Sequence, residues 1–268
     1  MDEVTVEPDA DSAAEAGTDA PLSVVMPAYN EASTIADIVH RVLALPLVGQ
    51  LIVIDDASRD NTAEIVSGID DPRLCLLRHE RNQGKTAAVA TGIAAVTGSV
   101  VIIQDADAEY DPAEIPEVVG PILAGRADVV YGSRFLVRRA ARVLYYYHYL
   151  ANKFLTALSN LLTNHNMTDI ETCYKAFRSP IIKHLRLSSS GFGMEVEITA
   201  MITSMPLRIY EVPISYYGRT YQEGKKIGMR DGIAALWYIF YYNLIGRRRR
   251  SAVRYRELVQ ADLTMEAS

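Results

Sequence analysis

Val100-Val101-Ile102-Ile103-Gln104-Asp105-Ala106-Asp107 is the stretch whose reading decides the fold. Four branched apolar residues in a row suit a strand buried on both faces. Two carboxylates two residues apart at its carboxyl end can hold one divalent cation, and such a cation commonly serves a phosphate. The stretch therefore predicts an α/β protein that handles a nucleotide.

The same pattern repeats on either side. Leu22-Ser23-Val24-Val25-Met26 reads as a buried strand, and after the turn Asn30-Glu31-Ala32-Ser33 the residues Ile35, Ile38, Val39, Val42 and Leu43 recur at helical spacing. Leu51-Ile52-Val53-Ile54 is a second strand, ending at Asp55-Asp56-Ala57-Ser58 before a helix capped by Asp60 or Asn61. Leu74 to Leu77 and Asp128 to Tyr131 supply further strands, with helices near 86–97 and 113–124. Alternating β and α with near-continuous apolar strands predicts a mainly parallel, Rossmann-like sheet with helices on both faces. Ligands of such sheets bind beyond the carboxyl ends of the strands. Polar residues gather at those ends: Asn30-Glu31, Asp55-Asp56, Asn82-Gln83-Gly84-Lys85, and Asp105 with Asp107. Each alone fits a turn or a helix cap, whereas four together point to one shared site.

Composition narrows the class. The 268 residues, 49% hydrophobic, suffice for one main domain. Cys75 and Cys173 have no disulfide-framework or zinc spacing, which fits a reducing compartment. The net charge of −6 is unevenly spread, because residues 1–20 carry seven acids and no base. Subtracting that −7 leaves about +1 for the rest. The leader reads as a disordered acidic tail, and without a cationic start or apolar segment it is not a signal peptide. From Arg219 to Arg256 there are ten basic residues against Glu223 and Asp231, which implies an anionic partner nearby.

The motifs Pro27-Ala28-Tyr29-Asn30-Glu31, Asp55-Asp56-Ala57-Ser58, Asn82-Gln83-Gly84-Lys85, Asp105-Ala106-Asp107 and Gly132-Ser133-Arg134 resemble, in order and approximate spacing, those of family 2 glycosyltransferases with the GT-A fold. The resemblance covers about residues 21–250. Thr168-Asp169-Ile170-Glu171-Thr172-Cys173-Tyr174-Lys175 and Gly218 to Lys226 are similar to acceptor-side segments of the polyprenyl-phosphate (dolichol-phosphate-type) members. This implies a GT-A domain over 21–228, preceded by the leader 1–20 and followed by an interfacial amphipathic helix over 229–250 and a tail over 251–268.

The resemblance also implies roles. Pro27, Tyr29 and Glu31 line the nucleoside pocket, Asp56 accepts a hydrogen bond from the base, Asp55 supports the turn, Gly84 lets the backbone approach the donor, and Lys85 faces its diphosphate. A carboxylate alone does not separate uracil from guanine. Asp105 and Asp107, with Ala106 between them, hold Mg²⁺ or Mn²⁺ against the diphosphate of a nucleotide sugar; Glu109 is the candidate third ligand, or else a turn cap. Ser133, Arg134, Asp169, Arg219 and Lys225 belong to the acceptor side. The implied reaction is inverting, metal-dependent transfer of a hexose to a polyprenyl (undecaprenyl or dolichyl) phosphate, with a UDP-sugar preferred over GDP-mannose. The nucleophile is a phosphate oxygen, mostly dianionic because its second pKa is about 6, so no general base is required. Two anions must instead be brought together by fixed cations, for which arginine forks are suited. Glu195 and Glu197 lie where the family places a helix near the active site.

Two segments carry membrane-surface signals. Residues 233–245 are a mainly apolar run with five aromatic residues, too short for a span of roughly 20 residues and followed by Arg247 to Arg250. Residues 134–163 combine Arg134, Arg138, Arg139, Arg142 and Lys153 with Tyr145, Tyr146, Tyr147 and Tyr149. Both fit peripheral association with an anionic membrane at its cytoplasmic face, or a contact with a second copy or a membrane-anchored partner. No nucleic-acid-binding motif occurs. Departures are also present: Glu171-Thr172-Cys173-Tyr174-Lys175 replaces the Ser-Gly-Phe of many dolichol-phosphate mannose synthases, and the Gln-x-x-Arg-Trp of processive polymerases is absent. Two other classes stand beside the implied one: a soluble family 2 enzyme acting on a sugar or protein hydroxyl, which needs a base, and a non-catalytic membrane-binding scaffold.

Overall fold

A computed structural model describes residues 20–136, 145–189, 193–218 and 229–246. Arg219, Lys225, the arginines at 138, 139, 142 and 247–250, the tail 251–268 and all but the last residue of the acidic leader lie outside them.

The chain alternates as its apolar pattern predicts. In order come β1 (Leu22–Ala28), α1 (Ile35–Leu43), β2 (Val48–Asp55), α2 (Thr62–Ser67), β3 (Leu74–Arg78), α3 (Lys85–Ala94), β4 (Val100–Ile103), α4 (Ile115–Leu123) and β5 (Val129–Ser133). The second part contains α5 (Tyr146–Thr163), β6 (Lys175–Arg178), α6 (Ser179–His184), α7 (Gly193–Ile202), β7 (Ile209–Pro213) and α8 (Met229–Phe240), which runs into a wider π-type turn over Tyr241–Gly246. The seven strands form one sheet in the order β3-β2-β1-β4-β6-β5-β7. Strands β1 to β4 pair in parallel, as do β5 and β7. Only β6 is reversed, antiparallel to both β4 and β5. The sequence pattern did not mark this strand, because Lys175-Ala176-Phe177-Arg178 has charged residues at both ends and no apolar run.

Strand alternation divides the core into two layers. Val24 and Met26 of β1, Leu51 and Val53 of β2, and Val100 and Ile102 of β4 pack against α1 and α4. Their neighbours Val25, Ile52, Ile54, Val101 and Ile103 pack on the other face with α3, α6, α7 and α8. Each strand is thus apolar on both sides because successive side chains point to opposite faces and both faces are covered. The five periodic residues of α1 are all buried. Strand order reverses between β1 and β4, so the crevice beyond their carboxyl ends is the switch point where α/β sheets bind ligands.

Two outer helices break the rule that exposed helical stripes are polar. In α5, Tyr147 (82% exposed), Leu150, Phe154 and Leu161 (79%) share one outward stripe at three-to-four-residue spacing. Trp237, Phe240 and Leu244 continue such a stripe along α8 and its turn, and α8 packs on α5. Among the described residues no helix is long and apolar enough to cross a membrane.

Glycine contacts give a test of how closely α3 sits on the sheet. A Cβ at Gly92 would lie 2.5 Å from Val25 Cγ1 and 2.6 Å from Ile54 Cδ1, whereas one at Gly120 in α4 would meet nothing within 4 Å. Gly92→Ala should therefore cost about 1–3 kcal/mol through overpacking. Gly120→Ala should be neutral or stabilising by about 0.5–1 kcal/mol. Denaturant unfolding of the two variants checks the contrast.

Candidate active site

Four loops leave the carboxyl ends of β1 to β4, and each contains one residue with positive φ. These are Asn30 (φ 56°), Ala57 (59°), Gly84 (88°) and Ala108 (61°). Left-handed backbone at an alanine costs about 1–2 kcal/mol, so the surrounding bonds must impose it. Those bonds stitch the loops together. The N–H groups of Asn30, Glu31 and Ala32 donate to Ser58 Oγ (2.9 Å), Thr62 Oγ1 (2.9 Å) and Asp60 Oδ2 (3.1 Å). Thr34 Oγ1 donates to the Ala106 carbonyl (2.8 Å), tying the first loop to the fourth. Of the two cap candidates before α2, Asn61 holds the cap position without a side-chain bond, while the Asp60 carboxylate accepts from the Thr62 N–H (3.1 Å).

Asp55 and Asp56 divide their work. Asp55 is fully buried, accepts from the Ser58 N–H (3.2 Å) and pairs with Arg78 Nε (3.1 Å), which holds the second loop. The Asp56 carboxylate accepts from the N–H groups of Gln83 (2.9 Å) and Gly84 (2.7 Å) and lies 2.7 Å from His79 Nδ1. His79 Nε2 meets Thr91 Oγ1 at 2.9 Å. A base contact at Asp56 must share a carboxylate that already shapes the third loop. Pro27, Tyr29 and Glu31 are half-buried at the first loop, beside this rim. His79 was not singled out from sequence, and nothing in its spacing could have marked it.

Lys85, the first residue of α3, is the electrostatic centre of the rim. Its Nζ lies 2.8 Å from Asp105 Oδ1 and 3.1 Å from Oδ2, contacts Cys173 Sγ, and stands 3.7 Å from Glu195 Oε1. Burial alone would lower its pKa, but Asp105, Cys173 and Glu195 together raise it well above the ordinary lysine value. From sequence Cys173 reads as a free cysteine within a motif, and Glu195 as either an orienting residue for the acceptor region or a helix N-terminal charge. The structure brings both to the lysine.

The carboxylates after β4 are separated by backbone geometry. Asp105 faces Lys85; the left-handed Ala108 then turns the chain, the Glu109 N–H donates to Asp107 Oδ1 (3.1 Å), and Glu109 Oε2 accepts from the Tyr216 hydroxyl (2.8 Å). Among the described residues no group of three His, Cys, Asp or Glu gathers as a metal cluster. The all-oxygen chemistry of Asp105 and Asp107 still fits a hard divalent cation completed by diphosphate and water.

On the acceptor side, Ser133 ends β5 and Arg134 follows. Arg134 Nε and Nη2 grip the fully buried Asp169 at 2.7 Å each, and the Arg134 N–H also donates to it. Burial opposes the charge on Arg134, yet Asp169 holds its pKa well above the usual value. The guanidinium lies 5.1 Å from the Tyr216 ring centre and 5.6 Å from that of Phe135. The Nε and Nη2 edge of the fork is thus taken by Asp169. Ser133 Oγ bonds Thr168 Oγ1 (2.6 Å), and Glu211 on β7 accepts from the N–H groups of Thr168 (2.8 Å) and Asp169 (3.2 Å). Glu211 and Tyr216 were also missed from sequence; Tyr216 stands just before the Gly218-Arg219 motif, which is the signal that could have drawn attention to it.

Comparison with known proteins agrees with this geometry. The family model "Glycosyl transferase family 2" matches residues 23–186. The undecaprenyl-phosphate 4-deoxy-4-formamido-L-arabinose transferases of Salmonella paratyphi A and Salmonella dublin are each 29% identical over 226 residues, covering 78% of this chain. The chain spans 63% of the length of those relatives. Among solved structures, glucosyl-3-phosphoglycerate synthase of Mycobacterium tuberculosis bound to UDP superposes with a TM-score of 0.64 at 20% identity, over 82% of this chain and 79% of that one. Its complex with Mn²⁺, UDP and glucosyl-3-phosphoglycerate gives 0.62 at 21%, over 83% and 79%. With its family match covering more than half the residues, the chain belongs to glycosyl transferase family 2.

Proposed function

We propose that the protein transfers a hexose, with inversion, from a nucleotide-diphosphate sugar to a polyprenyl phosphate of the undecaprenyl or dolichyl type. The observation that carries this reading is a pair of cations held at two ends of one short segment. Lys85 meets Cys173, and Arg134 grips Asp169, four residues earlier. Two fixed cations on one segment suit two phosphates that must approach each other. The names of the Salmonella relatives support the lipid acceptor, and the UDP and Mn²⁺ complexes of the structural neighbour support a UDP-sugar and a divalent cation.

In this reading Pro27, Tyr29, Glu31 and Asp56 line the nucleoside end, with Gly84 open for close backbone approach. Asp107 and Asp105 hold Mg²⁺ or Mn²⁺, with Glu109 as the further oxygen. These carboxylates would hold the cation, which would supply Lewis-acid neutralisation of the leaving diphosphate's charge without a proton. Lys85 balances Asp105 and faces the same diphosphate. Arg134, oriented by Asp169 and backed by Tyr216, is assigned to the acceptor phosphate beside Ser133. Arg219 and Lys225 are assigned to the acceptor as well; they lie outside the described residues. The exposed apolar stripes of α5 and α8, with the basic sequences that flank them, are assigned to the cytoplasmic surface of an anionic membrane, where a lipid acceptor resides.

Purified protein given Mn²⁺ or Mg²⁺, polyprenyl phosphate and a panel of UDP- and GDP-sugars should form a lipid-linked sugar. Chelation should stop the reaction, and Asp107→Ala should lower kcat by about a hundredfold or more while leaving the fold intact. Absence of product from every donor sinks the proposal. A second measurement addresses the surface. The protein should sediment with phosphatidylglycerol-containing vesicles, and Phe154→Glu or Leu161→Glu should weaken that binding by about tenfold or more, the scale of one buried apolar side chain. Equal binding by these variants would remove α5 from the membrane contact.

A further inference from the structure

Glu171 sits between the two cation contacts, two residues from Asp169 and two from Cys173. Its Oε1 is buried and has no hydrogen-bond partner among the described residues. The neighbouring cations are committed elsewhere. Arg134 forks onto Asp169, and Lys175, itself buried, donates to the Thr172 carbonyl while its Nζ lies 5.0 Å from the Tyr131 ring centre. Ionised carboxylates in such surroundings need partners, and an unpaired one is costly.

We infer that Glu171 is an acceptor-binding residue that meets the acceptor phosphate as a proton-bearing hydrogen-bond donor, an inference that rests on the phosphate acceptor proposed above. The groups facing it come from several elements: Glu195 on α7, Lys175 on β6, Tyr131 on β5, and Arg134 with Asp169 beyond it. Burial first, and Glu195 next, push its carboxyl up to about 8, against the opposing pull of Lys175 and Arg134. Below that value the group keeps its proton and donates to a phosphate oxygen. Above it the group becomes a carboxylate that repels the dianion. No proton is transferred in this contact; the carboxyl keeps it through the reaction. A glutamate that served as a general base would need the opposite protonation state, so the two roles predict opposite pH behaviour.

The test uses the full chain with Mn²⁺, the accepted nucleotide sugar and polyprenyl phosphate, from below to well above pH 8. Wild-type kcat/KM for the acceptor should fall as pH rises through about 8. Glu171→Gln keeps a donor of the same size that does not titrate, so it should retain transfer and lose that fall. The acceptor's own ionisation near 6 enters both proteins and cancels in their ratio. Glu171→Ala should raise the acceptor KM about tenfold, the scale of one hydrogen bond to a charged group, with UDP affinity unchanged. Three results would overturn the inference: an alkaline fall in Glu171→Gln matching wild type, an unchanged acceptor KM in Glu171→Ala, or loss of turnover in Glu171→Gln with UDP affinity intact. The last outcome would assign the residue a base role and a hydroxyl acceptor. A wild-type protein that transfers to no polyprenyl phosphate instead removes the phosphate reading, before any variant is compared.

Discussion

The Lys85 ammonium is the interaction on which the rest of the site depends. It joins four parts of the chain: the start of α3, the loop after β4 through Asp105, the approach to β6 through Cys173, and the first turn of α7 through Glu195. Burial disfavours each of these charges alone, so they are tolerated only as a set. Removing the lysine would leave two acids facing each other beside a buried thiol. Cys173 responds to the same surroundings, its thiol pushed well above the ordinary range by burial and then by Asp105. Lys85 therefore does more than meet a ligand. It fixes the distance between the rim of the parallel strands and the reversed strand β6.

A second constraint comes from backbone conformation. Four loops with one left-handed residue each cannot adopt their shapes independently, and two of those residues are alanines. The energy that holds them comes from side chains reaching across loops: Ser58 and Thr62 to the first, Asp56 to the third, Thr34 to the fourth. Asp56 is the most committed of these, accepting two backbone N–H groups and lying against His79 at hydrogen-bonding distance. The rim is thus rigid before any ligand arrives, which is the condition under which electrostatic preorganisation is effective.

Residues 21–133 were legible because their physics is local. Continuous apolar strands, a helix with Ile35, Ile38, Val39, Val42 and Leu43 on one face, and polar strand ends all announce a parallel sheet and its binding rim. Boundaries moved by a few residues, and the expected helix over 113–124 begins at Ile115 after a short 3₁₀ turn. What could not be read was long-range. Strand β6 is antiparallel to both neighbours, and its pairing with β4 joins residues more than seventy apart in sequence. The pairings of Lys85 with Cys173 and Glu195, of Asp56 with His79, and of Glu109 with Tyr216 likewise join segments whose residue types are unremarkable alone. Glu109 illustrates the limit well. Its bond to the Tyr216 hydroxyl joins residues 107 apart in sequence, which no local pattern announces.

The outward stripe of α5 and the acceptor-side arginine are one continuous feature. Phe135, next to Arg134, meets Tyr149 of α5 edge to face at 5.3 Å, and Lys153 Nζ lies 5.3 Å from the same ring centre. One phenylalanine thus has a guanidinium and an ammonium near its ring and an apolar helix against its edge. A ligand with an anionic head and a long apolar tail needs this arrangement, because its tail must leave a polar rim without crossing water. A soluble sugar acceptor has no use for Tyr147, Leu150, Phe154 and Leu161 in the open, and leaving such side chains exposed carries a solvation cost of about 1.5–3 kcal/mol each relative to burial. The chain keeps that apolar face on the helix that meets Phe135 beside Arg134, and this coupling supports the lipid acceptor proposed above over a dissolved one.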